Sequence, residues 1–272
     1  MALIRVKPES LRPRSLAPRR LCRREGAGLA RRTIVLTPGT LDKAFAAGDT
    51  AAVIAAGLAE EKARTVLDIG AGSGGLARAL SDGGFAVTGI DPNAEAIERA
   101  KADFRGARFD IGGAEALPFA DAGFDAAVFV NSLHHVPVEQ MAKALGEAAR
   151  VTRRGGTIFV VEPLAEGPQH EVMRPVEDET AVLDAAARAV ADAVRSQLLE
   201  LRGNVVYRRN QPYADAEAFI QRLEAIAPSR AAIIEEKRDE VARLFAARAT
   251  TDASGRKVLT QPLRIYWLRV PV

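Results

Sequence analysis

Residues 63–163 alternate short apolar runs with stretches in which apolar positions recur every three or four residues. The runs at 65–69, 86–90, 107–110, 125–130 and 157–162 are mostly continuous in apolar residues, which predicts strands covered on both faces. The periodic stretches between them predict helices over 74–81, 93–103 and 138–152. Strands separated by helices imply a mostly parallel sheet with right-handed crossovers, an α/β doubly wound architecture. Upstream, Leu41, Phe45, Val53, Ile54 and Leu58 predict one or two short helices over 40–62, broken near Gly48. Downstream, 164–180 reads as loop. Residues 178–202 read as an amphipathic helix with Val182, Ala186, Val190, Val194, Leu198 and Leu201 at helical spacing, stopped by Gly203-Asn204. Helices over 215–226 and 229–249 follow, then strands over 256–260 and 263–269.

The chain has 272 residues, enough for one large α/β domain with additions. No apolar run reaches the roughly 18 residues that read as a membrane span. The single cysteine, Cys22, rules out an internal disulfide framework and fits a reducing compartment. Charge is unevenly placed. Ten Arg/Lys and two acids give residues 1–32 a net charge of +8; the whole chain stands at +3, so residues 33–272 stand at −5. A mildly acidic body argues against nucleic acid as its partner. Pro8, Pro13 and Pro18 interrupt the basic segment, so residues 1–36 are expected as an unpacked extension and 37–272 as the domain, with a helical cap inserted at about 164–213. The extension is a targeting segment, a polyanion-binding arm or a tail without a role. Cytoplasmic location is the leading expectation, and the mitochondrial matrix is the alternative if the extension is a targeting segment.

The candidate chemistry begins at Asp68-Ile-Gly70-Ala71-Gly72-Ser-Gly74-Gly75, where a strand gives way to a glycine-rich turn opening a helix. Bare backbone there lets a ligand approach closely, and Asp91, at the end of the next strand, can accept a ribose diol. Gly70, Gly72 and Gly75 also satisfy the G-x-G-x-x-G dinucleotide pattern, a weak signal alone. Asp68 decides between ligands: its carboxylate repels a pyrophosphate and attracts a ligand carrying an ammonium and a sulfonium. That favours S-adenosylmethionine over NAD.

Asp68-x-Gly70-x-Gly72-x-Gly74 resembles the first motif of class I S-adenosylmethionine-dependent methyltransferases. Gly89-Ile-Asp91-Pro92, Ala114-Glu-Ala-Leu-Pro-Phe119 with Phe124-Asp125, Asn131-Ser-Leu-His-His-Val136, and Arg150–Gly156 leading into Thr157–Glu162 match the later motifs in order, so the resemblance spans about residues 63–163. It implies a Rossmann-like seven-stranded sheet with an antiparallel last strand, for which 263–269 is the candidate, plus a helical lid. It implies that S-adenosylmethionine binds and S-adenosylhomocysteine leaves. The implied cofactor residues are Asp68 toward the ammonium, Gly70, Ala71, Gly72 and Gly74 along the methionine, Asp91 on the ribose, Pro92, Gly113, Ala114 and Glu115 around the adenine, Asn131 with its backbone on the methionine amine, Ser132 beside it, and His134 near the reacting centre. Family members often carry an acid where this chain has Gly113, so adenine contact must lean on backbone or on a neighbour such as Asp110.

A sulfonium methyl is already activated, so no Ser-His-Asp or Cys-His system is required, and none is visible. His134 is the candidate acid/base, and Tyr207 a catalytic or acceptor-orienting residue. His170, Arg174, Tyr207 and Arg208, in the region where the resemblance fades, are the candidate acceptor contacts. No metal is expected, because adjacent histidines do not converge and no Cys/His/Asp cluster has ligand spacing. A small-molecule acceptor is favoured, resembling ubiquinone/menaquinone-type enzymes around Leu117-Pro-Phe119. The rivals are a non-catalytic methyltransferase-like binding or assembly factor and an NAD(P)-dependent oxidoreductase.

Overall fold

A computed structural model describes residues 39–226 and 228–272. The basic extension expected over 1–36 lies outside the described residues. The chain runs α1 (Thr40–Ala47), α2 (Thr50–Glu60), β1 (Thr65–Ile69), α3 (Gly75–Asp82), β2 (Ala86–Asp91), α4 (Ala94–Asp103), β3 (Arg108–Ile111), β4 (Phe124–Val130), α5 (Met141–Val151), β5 (Thr152–Pro163), α6 (Pro168–Met173), α7 (Thr180–Arg195), β6 (Glu200–Tyr213), α8 (Ala216–Ile226), α9 (Ala231–Arg248), β7 (Thr250–Thr251) and β8 (Lys257–Arg269). The sheet order is β3-β2-β1-β4-β5-β8-β6, with β7 added against one end of β8. The first five strands pair in parallel. β8 is antiparallel to β5 and to β6. The expected doubly wound, mostly parallel sheet with an antiparallel last strand is the observed one.

Continuous apolar strands fit because both faces are covered. Leu67, Ile69, Phe129 and Ile158 pack against α5 and α7 through Leu145, Ala148, Ala186 and Val190. Val66, Val128, Phe159 and Val161 face the other way, against Val53, Ile54 and Leu58 of α2 and Leu80 of α3. β1 runs to β2 on one side and lies beside β4 on the other, so the sheet reverses direction there and opens a crevice at the strands' carboxyl ends. Arg150 on α5 donates to the carbonyls of Leu117 and Phe119 at 2.9 and 2.8 Å and pairs with Asp121 at 2.7 Å, fixing the loop beside that crevice.

The far end of the chain differs from expectation. The helix expected over 178–202 ends at Arg195, where Gln197 takes a left-handed φ of 62° and turns the chain. Leu198 and Leu201, which extended the apparent period, are exposed. Residues 200–213, expected as helix end and loop, are a 14-residue edge strand. It is polar because only one edge is paired, and its order comes from the ladder with β8. The two strands expected at 256–260 and 263–269 are one. β8 passes straight through Pro262, since its pairing with β5 stops at Pro163↔Leu263 and no ladder bond there needs the missing N–H. Beyond β5, the β6–β8 ribbon carries a small third core of Val172, Tyr213, Phe219, Ile234, Phe245 and Leu259, which seats α6, α8 and α9 as a cap.

Candidate active site

At the end of β1, Asp68 is 2% exposed and its Oδ2 has no hydrogen-bond partner. Burial, with the charge of Asp91 in support, pushes its carboxyl pKa up to about 7. The following turn has left-handed backbone at Gly70, Gly72 and Gly74, with φ of 80°, 52° and 81°. At Gly70 a Cβ would lie 2.4 Å from that of Ser132, whereas at Gly72 it would meet nothing within 4 Å. The first glycine is required by packing and the second leaves backbone facing open space. Ala71 and Gly70 are tied down by their amides, which donate to the Ile90 carbonyl at 3.0 and 2.8 Å.

The Asp91 carboxylate accepts the Gly72 amide at 2.9 Å and the Asn93 amide at 2.8 Å. It therefore joins the two motifs, and each oxygen keeps a lone pair toward the crevice. Asn93, not Asp91, caps α4 by accepting the Ala96 amide. Pro92 is exposed beside it. Gly113 and Ala114 sit in the turn after β3, with the Gly112 amide on the Asp91 carbonyl at 3.1 Å. Glu115 folds back over Gly113, where its Oε1 would be 2.3 Å from an added Cβ. Asp110 is engaged by Arg108 at 2.8 Å. Ile111, paired with Asp91 across β3 and β2, is exposed. Sequence reasoning missed it, since one apolar residue at a strand end carries no signal.

Asn131 follows β4 with φ of 52°; its amide donates to the Val161 carbonyl and its buried Oδ1 is unpartnered. Ser132 donates to the Ile69 carbonyl at 2.7 Å, fastening this turn to the end of β1. His134 is 4% exposed, and its Nδ1 bonds the Glu162 carboxylate. The other Glu162 oxygen accepts the Leu133 amide at 2.8 Å. His134 Nε2 lies 3.8 Å from Glu179, the residue preceding α7. Burial lowers the imidazole pKa, but the Glu162 hydrogen bond and the charges of Glu162, Glu179 and Glu177 outweigh it and leave it raised. Glu162 and Glu179 escaped sequence reasoning because their meeting with His134 spans 28 and 45 residues.

Beside this group lies a cavity of about 330 Å³ roofed by the cap. Asn131, His134, His135, His170, Glu177, Glu179, Arg209 and Tyr213 are among its lining residues. Of the expected acceptor contacts, only His170 lines it. Arg174 is exposed at the end of α6, away from the cavity. Arg208 points outward from β6 because strand alternation turns Arg209 inward instead. Tyr207 shares the inward face but lies under α1: it is 5% exposed, its hydroxyl is 2.8 Å from that of Thr50, and its ring packs edge-on against Phe45. That position lies outside the cavity. The adjacent histidines, expected not to converge, do come together. The tight turn over Leu133–His135 stacks the two imidazoles with centroids 4.0 Å apart, and donor atoms of His134, His135 and Glu179 lie within 4.8 Å of one another.

Residues 67–160 match a family described as methyltransferase domain. Among curated relatives, an uncharacterized methyltransferase of Mycobacterium sp. (strain JLS) is 33% identical over 127 residues, 45% of this chain and 50% of that one. A demethylmenaquinone methyltransferase of Renibacterium salmoninarum is 37% identical over 97 residues, 36% of this chain and 40% of its own length. The chain thus spans half or less of these relatives. The fold is shared with YcgJ protein from Bacillus subtilis, with a TM-score of 0.52 and 24% identity over 79% of this chain and 97% of that one. A Bacillus halodurans C-125 protein also gives 0.52, at 20% identity over 79% of this chain and 99% of its own. Residues 67–160 are thus similar to a methyltransferase domain, and the sheet that carries them has the Rossmann-like fold of these solved structures.

Proposed function

We propose that the protein transfers a methyl group from S-adenosylmethionine to a small-molecule acceptor bound in the cavity beneath the cap. The observation carrying the cofactor assignment is Asp68: a buried carboxylate with an unpartnered oxygen, next to a glycine turn that leaves backbone bare. A cationic amine offsets that charge, whereas a pyrophosphate adds to it. Asp68, Gly70, Ala71, Gly72 and Gly74 would hold the methionine end, Asp91 the ribose, and Gly113, Ala114, Glu115 and Ile111 the adenine, with Asn131 and Ser132 closing the crevice. Bound there, the cofactor supplies an electrophilic methyl group.

The chain's own contribution is positioning and proton management. Glu162 holds Nδ1 of His134 as the donor, so Nε2 is the proton-accepting atom. The imidazole at Nε2 would take the proton of the acceptor O–H or N–H that receives the methyl group, the electron pair of the broken carbon–sulfur bond staying on the departing thioether. Glu162 and Glu179 stabilise the resulting imidazolium. The cap keeps the exchange away from water. Among the described residues no helix is long and apolar enough to cross a membrane.

The His134–His135–Glu179 cluster favours a second reading, in which a divalent cation on those donors polarises the acceptor and Glu162 orients His134 from behind. Turnover on a metabolite panel, read as S-adenosylhomocysteine release, tests the activity. Release with wild type and loss in His134→Ala are expected. Cofactor binding with no turnover on any acceptor supports a non-catalytic binding factor, and tighter binding of NAD than of S-adenosylhomocysteine overturns the cofactor assignment.

A further inference from the structure

The cavity holds more positive than negative charge once its internal pairs are counted. Arg209, Arg222 and Arg230 line it together with Glu177 and Glu179. Glu177 pairs with Arg230, and Glu179, 3.8 Å from His134 Nε2, is the other carboxylate, so three arginines face two anions. Arg209 and Arg222 have no ion-pair or hydrogen-bond partner among the described residues, and Arg209 Nε is sealed from solvent. Burial pulls the Arg209 guanidinium pKa below its ordinary value, and the like charge of Arg222 acts in the same direction. Neutral side chains supply no counter-charge: Met173, Val176, Leu183, Phe219 and Ile234 give apolar walls, and Gln169, Gln211 and Gln261 add uncharged polar groups. A half-buried guanidinium without an anion is costly, so its retention beside a second arginine in an otherwise organic pocket calls for a ligand that neutralises it.

We propose that the acceptor is an anion, an organic molecule bearing a carboxylate or a phosphate, whose charged group is held by Arg209 and Arg222 while its nucleophilic group lies toward His134. This rests on the cavity being the acceptor site. A guanidinium fork matches either oxyanion with two parallel hydrogen bonds, which a neutral isostere cannot accept equally well. The apolar walls then hold the body of the molecule.

The test uses the full chain saturated with S-adenosylhomocysteine and three probes of similar size: benzoate, phenyl phosphate and benzamide, followed by ligand-observed NMR. At least one anion is expected to bind tenfold or more tightly than benzamide, and the better of the two identifies the oxyanion. Arg209→Gln is expected to remove most of that preference while leaving benzamide and S-adenosylhomocysteine affinities within twofold. Arg222→Gln, at an exposed position on α8, is expected to remove part of it and serves as the test if the first variant does not fold. Equal binding of all three probes overturns the proposal. So does a loss of S-adenosylhomocysteine affinity in Arg209→Gln, which would assign the guanidinium to the cofactor's carboxylate. An anion preference that depends on Arg209 in a protein that never binds S-adenosylhomocysteine would keep this inference and overturn the methyltransferase reading.

Discussion

Asp68→Asn removes a buried charge that the cofactor-free protein leaves uncompensated, and its effect depends on pH in a calculable way. The carboxyl pKa is about 7 in the folded protein, against an ordinary value of 3.8. Because the folded value is the higher, the native state keeps a proton that the unfolded chain has lost, and wild-type stability falls as pH rises between about 4 and 7. At 1.36 kcal/mol per pH unit, the cost to the wild type is roughly 1.6 kcal/mol at pH 5 and roughly 4.3 kcal/mol at pH 8. Asparagine does not titrate, and whatever its amide costs in that site is the same at both pH values. The stability of Asp68→Asn relative to wild type should therefore rise by roughly 2.5 kcal/mol from pH 5 to pH 8, about 5–10 °C in melting temperature for a domain of this size. Urea unfolding followed by circular dichroism at the two pH values measures it. Saturating S-adenosylhomocysteine should narrow the difference at pH 8, because a ligand ammonium stabilises the ionised carboxylate. A variant-minus-wild-type difference that does not change with pH would refute the argument that Asp68 is a buried, unpaired acid.

Glu162→Gln withdraws the charge, and with it the charge-assisted hydrogen bond, that hold the His134 pKa up, so NMR titration should show that pKa lower than in wild type; an unchanged value would remove Glu162 as its partner. Tyr207→Phe deletes the hydroxyl bonded to Thr50 and should cost about 0.5–1.5 kcal/mol of stability while leaving S-adenosylhomocysteine affinity unaltered; a selective loss of turnover would return Tyr207 to the acceptor site. Gly70→Ala forces a Cβ against Ser132 at a left-handed φ and should lower the melting temperature, whereas Gly72→Ala, facing open space, should spare stability more and weaken cofactor binding; equal effects on both would contradict the division of roles between them. Exhaustive EDTA treatment should leave turnover intact if His134 is the base, and a loss restored by Zn²⁺ or Mn²⁺ would make His134, His135 and Glu179 metal ligands instead.

The half of the fold that carries the candidate cofactor residues was legible because its strands are mostly apolar runs, two of them closed by a glycine or a carboxylate at Ile69-Gly70 and Ile90-Asp91. Local chemistry decided those elements. β6 was not legible, because an edge strand with charged residues and Pro212 shows no apolar run, and only its distant partner β8 orders it. The same gap hid which residues of this segment line the cavity. With 200–213 unassigned, nothing indicated that Arg209 rather than Arg208 would face inward, or that α1 would cover Tyr207. Pro262 read as a break because its missing donor matters only where a neighbouring strand needs it, and β5 ends one pair earlier. His134 was singled out and lies beside the cavity, but Glu162 and Glu179, which meet its two ring nitrogens, were not, since no local spacing links them.

The central claim is that the crevice at the ends of β1 and β2 binds S-adenosylmethionine and its product through Asp68 and Asp91. Isothermal titration calorimetry of S-adenosylhomocysteine into wild-type protein and folded Asp91→Ala tests it most directly. One-to-one binding is predicted for wild type, weakened at least tenfold by the substitution, since loss of about 1.4 kcal/mol of the ribose hydrogen bonding suffices for that factor. No heat with wild type, or an affinity that Asp91→Ala leaves unchanged, would contradict it.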